Sequence, residues 1–234
     1  LAPRHRLLGS LEELLDPGLL GEAAGAEVYR VHSELLTGNF AHSGSELRLI
    51  ECELRSVHST GAGGASPGSA RFVLKRLNSE TDWLMRVTED DRCRSVTLWQ
   101  EGILDRMPRI IEPGVIACAR DEQGWAILMR DMGSHFVTDQ VFAPEQGERF
   151  LEAMAAMHAT FFEDPTLIAA ENRLGLSEIR HVYEMFAPRT AERKDIGRGD
   201  ILRRIVDGWK TVREVCPADV VETVEPLLLD PTPL

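Results

Sequence analysis

Strand signals in this chain stop at Met129 and helical stripes begin near Gln146, and that segregation constrains the fold more than any single motif. Runs rich in β-formers occur at Ala26 to Leu36, Glu46 to Val57, Ala70 to Leu77, Val115 to Ala119 and Trp125 to Met129. After Gln146, apolar residues recur at helical spacing instead. Phe150, Leu151, Met154, Met157, His158, Phe161 and Phe162 form one stripe. Ile179, Val182 and Phe186 form a second, capped by Ser177 and ended by Pro188, and Ile201, Leu202, Ile205, Val206, Trp209 and Val212 form a third. The expected class is α+β: five antiparallel strands before Gly133 and almost only helix after it. A length of 234 residues suits one large domain or two small lobes. The expected division is 1–133, holding the sheet, and 134–234, holding the helices.

Within the strand Arg71 to Leu77, Phe72 and Leu74 point to one face while Val73 and Lys75 share the other, because side chains alternate along a strand. A lysine inside an apolar strand has two readings. It guards a sheet edge with its ammonium in solvent, or it is a cation fixed over a cleft to meet an anion.

Local signals set the neighbouring elements. Ser10-Leu11-Glu12-Glu13 has capping-box spacing and starts a short lead-in helix, ended by Pro17-Gly18. In the second strand the apolar set shifts by one residue after Leu49, which a β-bulge there would produce. Gly38 to Ser45, with Gly38, Ser43, Gly44 and Ser45, is the phosphate-loop candidate, since small residues let backbone N–H groups approach an anion. A plain hairpin turn is the alternative. It lacks G-K-[ST], and a strand rather than a helix follows, so it is neither a Walker loop nor a dinucleotide fingerprint. Gly61 to Gly68 reads as a flexible hairpin tip. The run Glu80 to Arg94 reads as irregular, and Cys93 to Met107 as an amphipathic helix with Val96, Trp99, Ile103, Leu104 and Met107 on its apolar stripe. Glu101 lies off that stripe, in a solvated position.

The order of glycine-bearing hairpin, lysine strand, helix, two strands and polar connector resembles the N-lobe of the protein-kinase-like fold. Phe72-Val73-Leu74-Lys75 looks like its strand-and-lysine motif. Leu128-Met129-Arg130-Asp131-Met132-Gly133 looks like the hinge of the aminoglycoside phosphotransferase family, and Ala155-Ala156-Met157-His158-Ala159-Thr160-Phe161 resembles that family's first C-lobe helix. The likeness runs from about Ala26 onward. It implies that Lys75 meets nucleotide phosphates, that the loop bearing Gly38, Ser43, Gly44 and Ser45 covers them, and that the C=O of Arg130 and N–H of Met132 read the base of ATP or GTP. It implies magnesium as the accompanying ion, a small-molecule acceptor as second partner, and a supporting role for His158. The family's lysine-holding glutamate falls nearer Ser95, so the partner of Lys75 is missing or replaced, with Glu89, Asp90 and Asp91 as candidates.

A net charge of −12 argues against nucleic acid or an anionic membrane as the main partner. Cys52, Cys93, Cys118 and Cys216 have no C-x-x-C spacing and read as free thiols in a reducing cytoplasm. The seven histidines form no H-E-x-x-H. No apolar run is long enough to span a bilayer.

No H-G-D-x-x-x-x-N, H-R-D-x-x-x-x-N or D-F-G-like motif occurs in the 234 residues, and no residue of this chain is assigned as catalytic or metal-binding. The expectation is an N-terminal portion of a small-molecule kinase, its general base and magnesium ligands beyond Leu234, inactive in transfer by itself. The alternative is a non-catalytic binding or regulatory module on the same fold.

Overall fold

A computed structural model describes residues 5–36, 43–55, 68–133, 143–193 and 200–229. The chain divides into two compact units. The first comprises Leu1–Leu36, Glu46–Arg76 and Ser95–Leu174, and the second Thr37–Ser45, Leu77–Arg94 and Gly175–Leu234. Each unit draws on both 1–133 and 134–234.

The first unit is built on a five-stranded antiparallel open sheet. Its strands are β1 (Val28–Leu35), β2 (Glu46–Leu54), β3 (Gly68–Leu77), β4 (Val115–Asp121) and β5 (Gly124–Arg130), in the order β1-β2-β3-β5-β4. β2 pairs with β3 without interruption from Glu46↔Arg76 to Leu54↔Gly68, so the bulge expected near Leu49 is absent. Leu49 and the adjacent Ile50 point to opposite faces and both are buried, because this strand is covered on both sides at its centre. The irregularity lies in β1 instead, between Val28 and Arg30.

Two helices precede the sheet. Ser10 caps α1 (Leu11–Leu14) by accepting the Glu13 N–H at 3.1 Å. Pro17 does not end the lead-in as expected. It opens α2 (Pro17–Ala24), capped by Asp16, whose carboxylate accepts the N–H groups of Gly18 and Leu19. The amphipathic helix is also shorter than its stripe suggests: α4 covers Arg94–Gln100 and is followed by a single 3-10 turn, Leu104–Arg106. Gly102 at φ +70 stops it, with Gly102 N–H on Trp99 O and Ile103 N–H on Leu98 O. Trp99 is buried, as is Phe72 on the sheet, and its indole stacks on the His5 ring at 4.8 Å.

α5 (Pro144–Phe161) and α6 (Pro165–Leu174) complete this unit. The expected inward stripe of α5 is not buried: none of its residues is, and Phe150, Leu151 and the following Phe162 are exposed. His158, expected as a supporting residue, is exposed too.

The second unit contains α3 (Trp83–Val87), inside the run expected to be irregular, together with α7 (Ile179–Met185), α8 (Pro188–Ala191), α9 (Asp200–Val215) and α10 (Ala218–Leu229). Its core joins Trp83 and Val87 of α3 to Leu202 of α9, with Met185, Ile201 and Ile205 packed around them. The stripe of α9 faces inward as its periodicity predicts. That of α7 does not: Ile179, Val182 and Phe186 are exposed and His181 is buried. Ser177 makes no cap, since Glu178 precedes the helix without a side-chain bond, and Pro188 opens α8. Among the described residues, no helix is long and apolar enough to cross a membrane, and Cys52, Cys93, Cys118 and Cys216 are not joined in disulfides.

Candidate functional site around Lys75

Lys75 lies near the end of β3, opposite Leu47 of β2. Because β3 is flanked by β2 and β5, the lysine does not guard a sheet edge. Opposed residues share a face, so Leu47, Leu49, Val73 and Lys75 lie on one side of the sheet. Leu49 is buried and the other three are half-buried. Lys75 makes no hydrogen bond or ion pair among the described residues; an acidic neighbour is expected for a partly desolvated cation, and none of the described carboxylates lies within ion-pair distance. The arrangement is one ammonium at the end of an aliphatic strip, which suits an anionic group carried on a flat or apolar body.

Of the acids considered, Glu101, Glu89 and Asp90 are engaged elsewhere. Glu101 is not solvated: its carboxylate pairs with Arg173 at 3.0 Å and its side chain is 14% exposed. In the second unit, Glu89 pairs with Arg180 at 3.1 Å. There too Asp90 accepts the backbone N–H of Arg94 with both oxygens, at 2.8 and 3.0 Å, and burial pushes its carboxyl above the ordinary value. Ser95 is exposed on α4.

Arg130 ends β5 and Met132 follows it. The N–H of Arg130 donates to Gly114 O at 2.9 Å and its guanidinium pairs with Glu112; Met132 is exposed. Between them Asp131 accepts the N–H of Gly133 at 2.9 Å and pairs with Arg71 at 3.2 Å, which fixes the turn.

The remaining expected residues divide. Gly38 lies outside the described residues. Ser43, Gly44 and Ser45 belong to the second unit, where they form a turn joined to the N-terminus of α3. The N–H of Trp83 donates to Ser43 O at 2.8 Å. The Ser43 hydroxyl donates to Asp82 at 2.6 Å and lies 2.9 Å from the Ser45 hydroxyl. Asp82, 2% exposed, also caps α3 through the N–H groups of Leu84 and Met85. Gly44 sits at φ +96, and a Cβ there would fall 2.2 Å from Thr81 O. This glycine is thus required by close backbone approach, and both serine hydroxyls are taken up inside the unit.

Sequence reasoning missed two of these groupings for different reasons. Asp82-Trp83-Leu84-Met85 carries a legible N-cap signal within a run dismissed for its charge. The Arg173–Glu101 pair, 72 positions apart, leaves no local signal. Among the described residues, no three His, Cys, Asp or Glu side chains are grouped to hold a metal ion. Compared with protein-family models, with curated proteins and with solved structures, the chain finds no match.

Proposed function

We propose that this chain is the nucleotide-binding part of a small-molecule phosphotransferase of the aminoglycoside phosphotransferase kind, with Lys75 neutralising phosphate charge on ATP or GTP. One observation carries the reading: a half-buried lysine on the third, interior strand of an antiparallel sheet, beside Leu47 and Val73, with no ion-pair partner among the described residues. Protein kinases likewise keep their phosphate-binding lysine on the third strand. Arg130 to Met132 is the segment assigned to the base. Transfer itself is assigned to no residue of this chain, and an acceptor hydroxyl compound remains the second partner.

A non-catalytic module on a kinase-like fold is favoured by a different observation. The one glutamate following α4 is committed to Arg173 rather than to the lysine, whereas protein kinases hold the lysine with a helix glutamate.

Titration of the intact chain with a fluorescent ATP analogue, with and without magnesium, tests both. Saturable binding that Lys75→Met weakens about tenfold or more, one lost charge-assisted contact, supports the phosphotransferase reading. Binding of equal strength in Lys75→Met, or none in wild type, removes the role given to Lys75. Binding indifferent to magnesium favours the non-catalytic module.

A further inference from the structure

His181 is 5% exposed, and among the described residues neither ring nitrogen has a hydrogen-bond partner. It occupies the buried face of α7 while Ile179, Val182 and Phe186 of that helix stay exposed, so the helix is seated against its own apolar stripe. Such conflicts between local pattern and observed packing concentrate at strained or functional positions.

The turn joining α3 to α4 is strained beside it. Glu89 has φ +50 and Cys93 has φ +54, two non-glycine residues in the left-handed region within five positions. The Glu89 carboxylate lies 3.6 Å from His181 Nε2 through the same oxygen that accepts from Arg180 at 3.1 Å. Arg180 is in turn held by Glu178 at 2.7 Å. Arg94, at the far end of the turn, donates to the carbonyls of Gly175 at 2.5 Å and Thr88 at 3.1 Å, which ties the turn to the segment leading into α7.

We propose that the turn Thr88 to Cys93 and α7 form a proton-operated latch, in which His181, on taking up a proton, draws Glu89 from Arg180 into a charge-assisted hydrogen bond. A neutral imidazole offers one N–H and the imidazolium two, so only the charged ring is certain to present a donor to Glu89 at Nε2. A closure of less than 1 Å completes that bond. Of the neighbouring charges, Glu89 and Glu178 favour the charged ring and Arg180 opposes it. α3 brings Arg86, already held on the carbonyls of Ser79 and Glu80. α8 brings Arg189, paired with Glu184. α10 brings Asp219, Glu222 and Glu225, the last paired with Arg213. Within the turn, burial pushes the Asp90 carboxyl above its ordinary value, so it too gains a proton more readily on acidification.

The test is amide hydrogen exchange of the intact chain at about pH 7.5 and about pH 5.5, the span over which histidines change charge. After correction for intrinsic rates, amides of the turn and of the first turn of α7 should exchange about threefold or more slowly at the acidic pH. Glu89→Gln, at a side chain 62% exposed and thus dispensable to the core, should abolish the difference, and Asp90→Asn should retain it. His181→Phe should also abolish it; where that variant fails to fold, Glu89→Gln decides alone. No pH difference in wild type, a difference that survives Glu89→Gln, or one that vanishes in Asp90→Asn overturns the latch.

Discussion

Glu101 and Arg173 form an ion pair of 3.0 Å in which the carboxylate is nearly buried and the guanidinium half-exposed. The asymmetry decides which substitution hurts. Arg173→Ala strands a desolvated carboxylate and should cost about 1 to 3 kcal/mol. Glu101→Gln leaves a neutral acceptor in place and should cost less, about 1 kcal/mol or below. Urea unfolding of the two variants and of the double variant measures the coupling. Arg173→Ala at wild-type stability would show that Glu101 is satisfied by solvent.

Gly44→Ala should destabilise the second unit by at least about 2 kcal/mol, since the new methyl meets a backbone carbonyl and the φ of +96 is itself unfavourable for alanine. Ser43→Ala removes the 2.6 Å bond to Asp82 and the 2.9 Å contact with the Ser45 hydroxyl, and should cost about 1 to 2 kcal/mol. Equal losses in the two would mean that the turn shifts to admit the methyl. Denaturant titration followed by tryptophan fluorescence separates the cases.

Trp99→Ala should cost about 3 to 5 kcal/mol, because the indole is buried. His5→Ala removes the stacked ring together with the 2.9 Å contact of its Nε2 with the Asp105 carboxylate, and should cost about 1 to 2 kcal/mol. An unchanged melting temperature in Trp99→Ala would contradict the packing of α4.

The strands were legible because each carries β-formers bounded by turn residues, and Lys75 stood out because alternation alone places it among apolar neighbours. The central position of β3 was not, since pairing order depends on contacts distant in sequence. The faces of α5 and α7 were misread for a shared reason. An apolar stripe says which face gains from burial, but the partner that covers it lies elsewhere in the chain or outside it. In α5 the stripe at Phe150, Leu151 and Phe162 is open, and in α7 tertiary packing seats His181 inward against propensity. The break at Gly102 was legible as a helix stop and was overridden by the stripe that continues to Met107.

Asp164 makes the acid stability of the first unit predictable in sign. Its carboxylate accepts from the Thr166 hydroxyl at 2.6 Å and the Thr166 N–H at 2.8 Å, and it pairs with the Arg106 guanidinium, which lies over the Phe161 ring. The Thr166 hydroxyl first, and then Arg106, hold its carboxyl down at about 2 against an ordinary value of 3.8. A carboxyl whose folded pKa is depressed binds fewer protons in the folded than in the unfolded chain between those values. Its contribution is therefore complete above the ordinary value and is lost as pH falls from 3.8 to about 2. Asp164→Asn should be less stable than wild type at neutral pH and should lose less on acidification through that window, so that the two curves converge near the bottom of it. Arg106→Gln should show the same flattening in weaker form, because the hydroxyl of Thr166 remains. Urea midpoints recorded at intervals from neutral pH down to about pH 2 check this, and parallel curves for wild type and Asp164→Asn would mean that the carboxylate has no special partner in the folded chain.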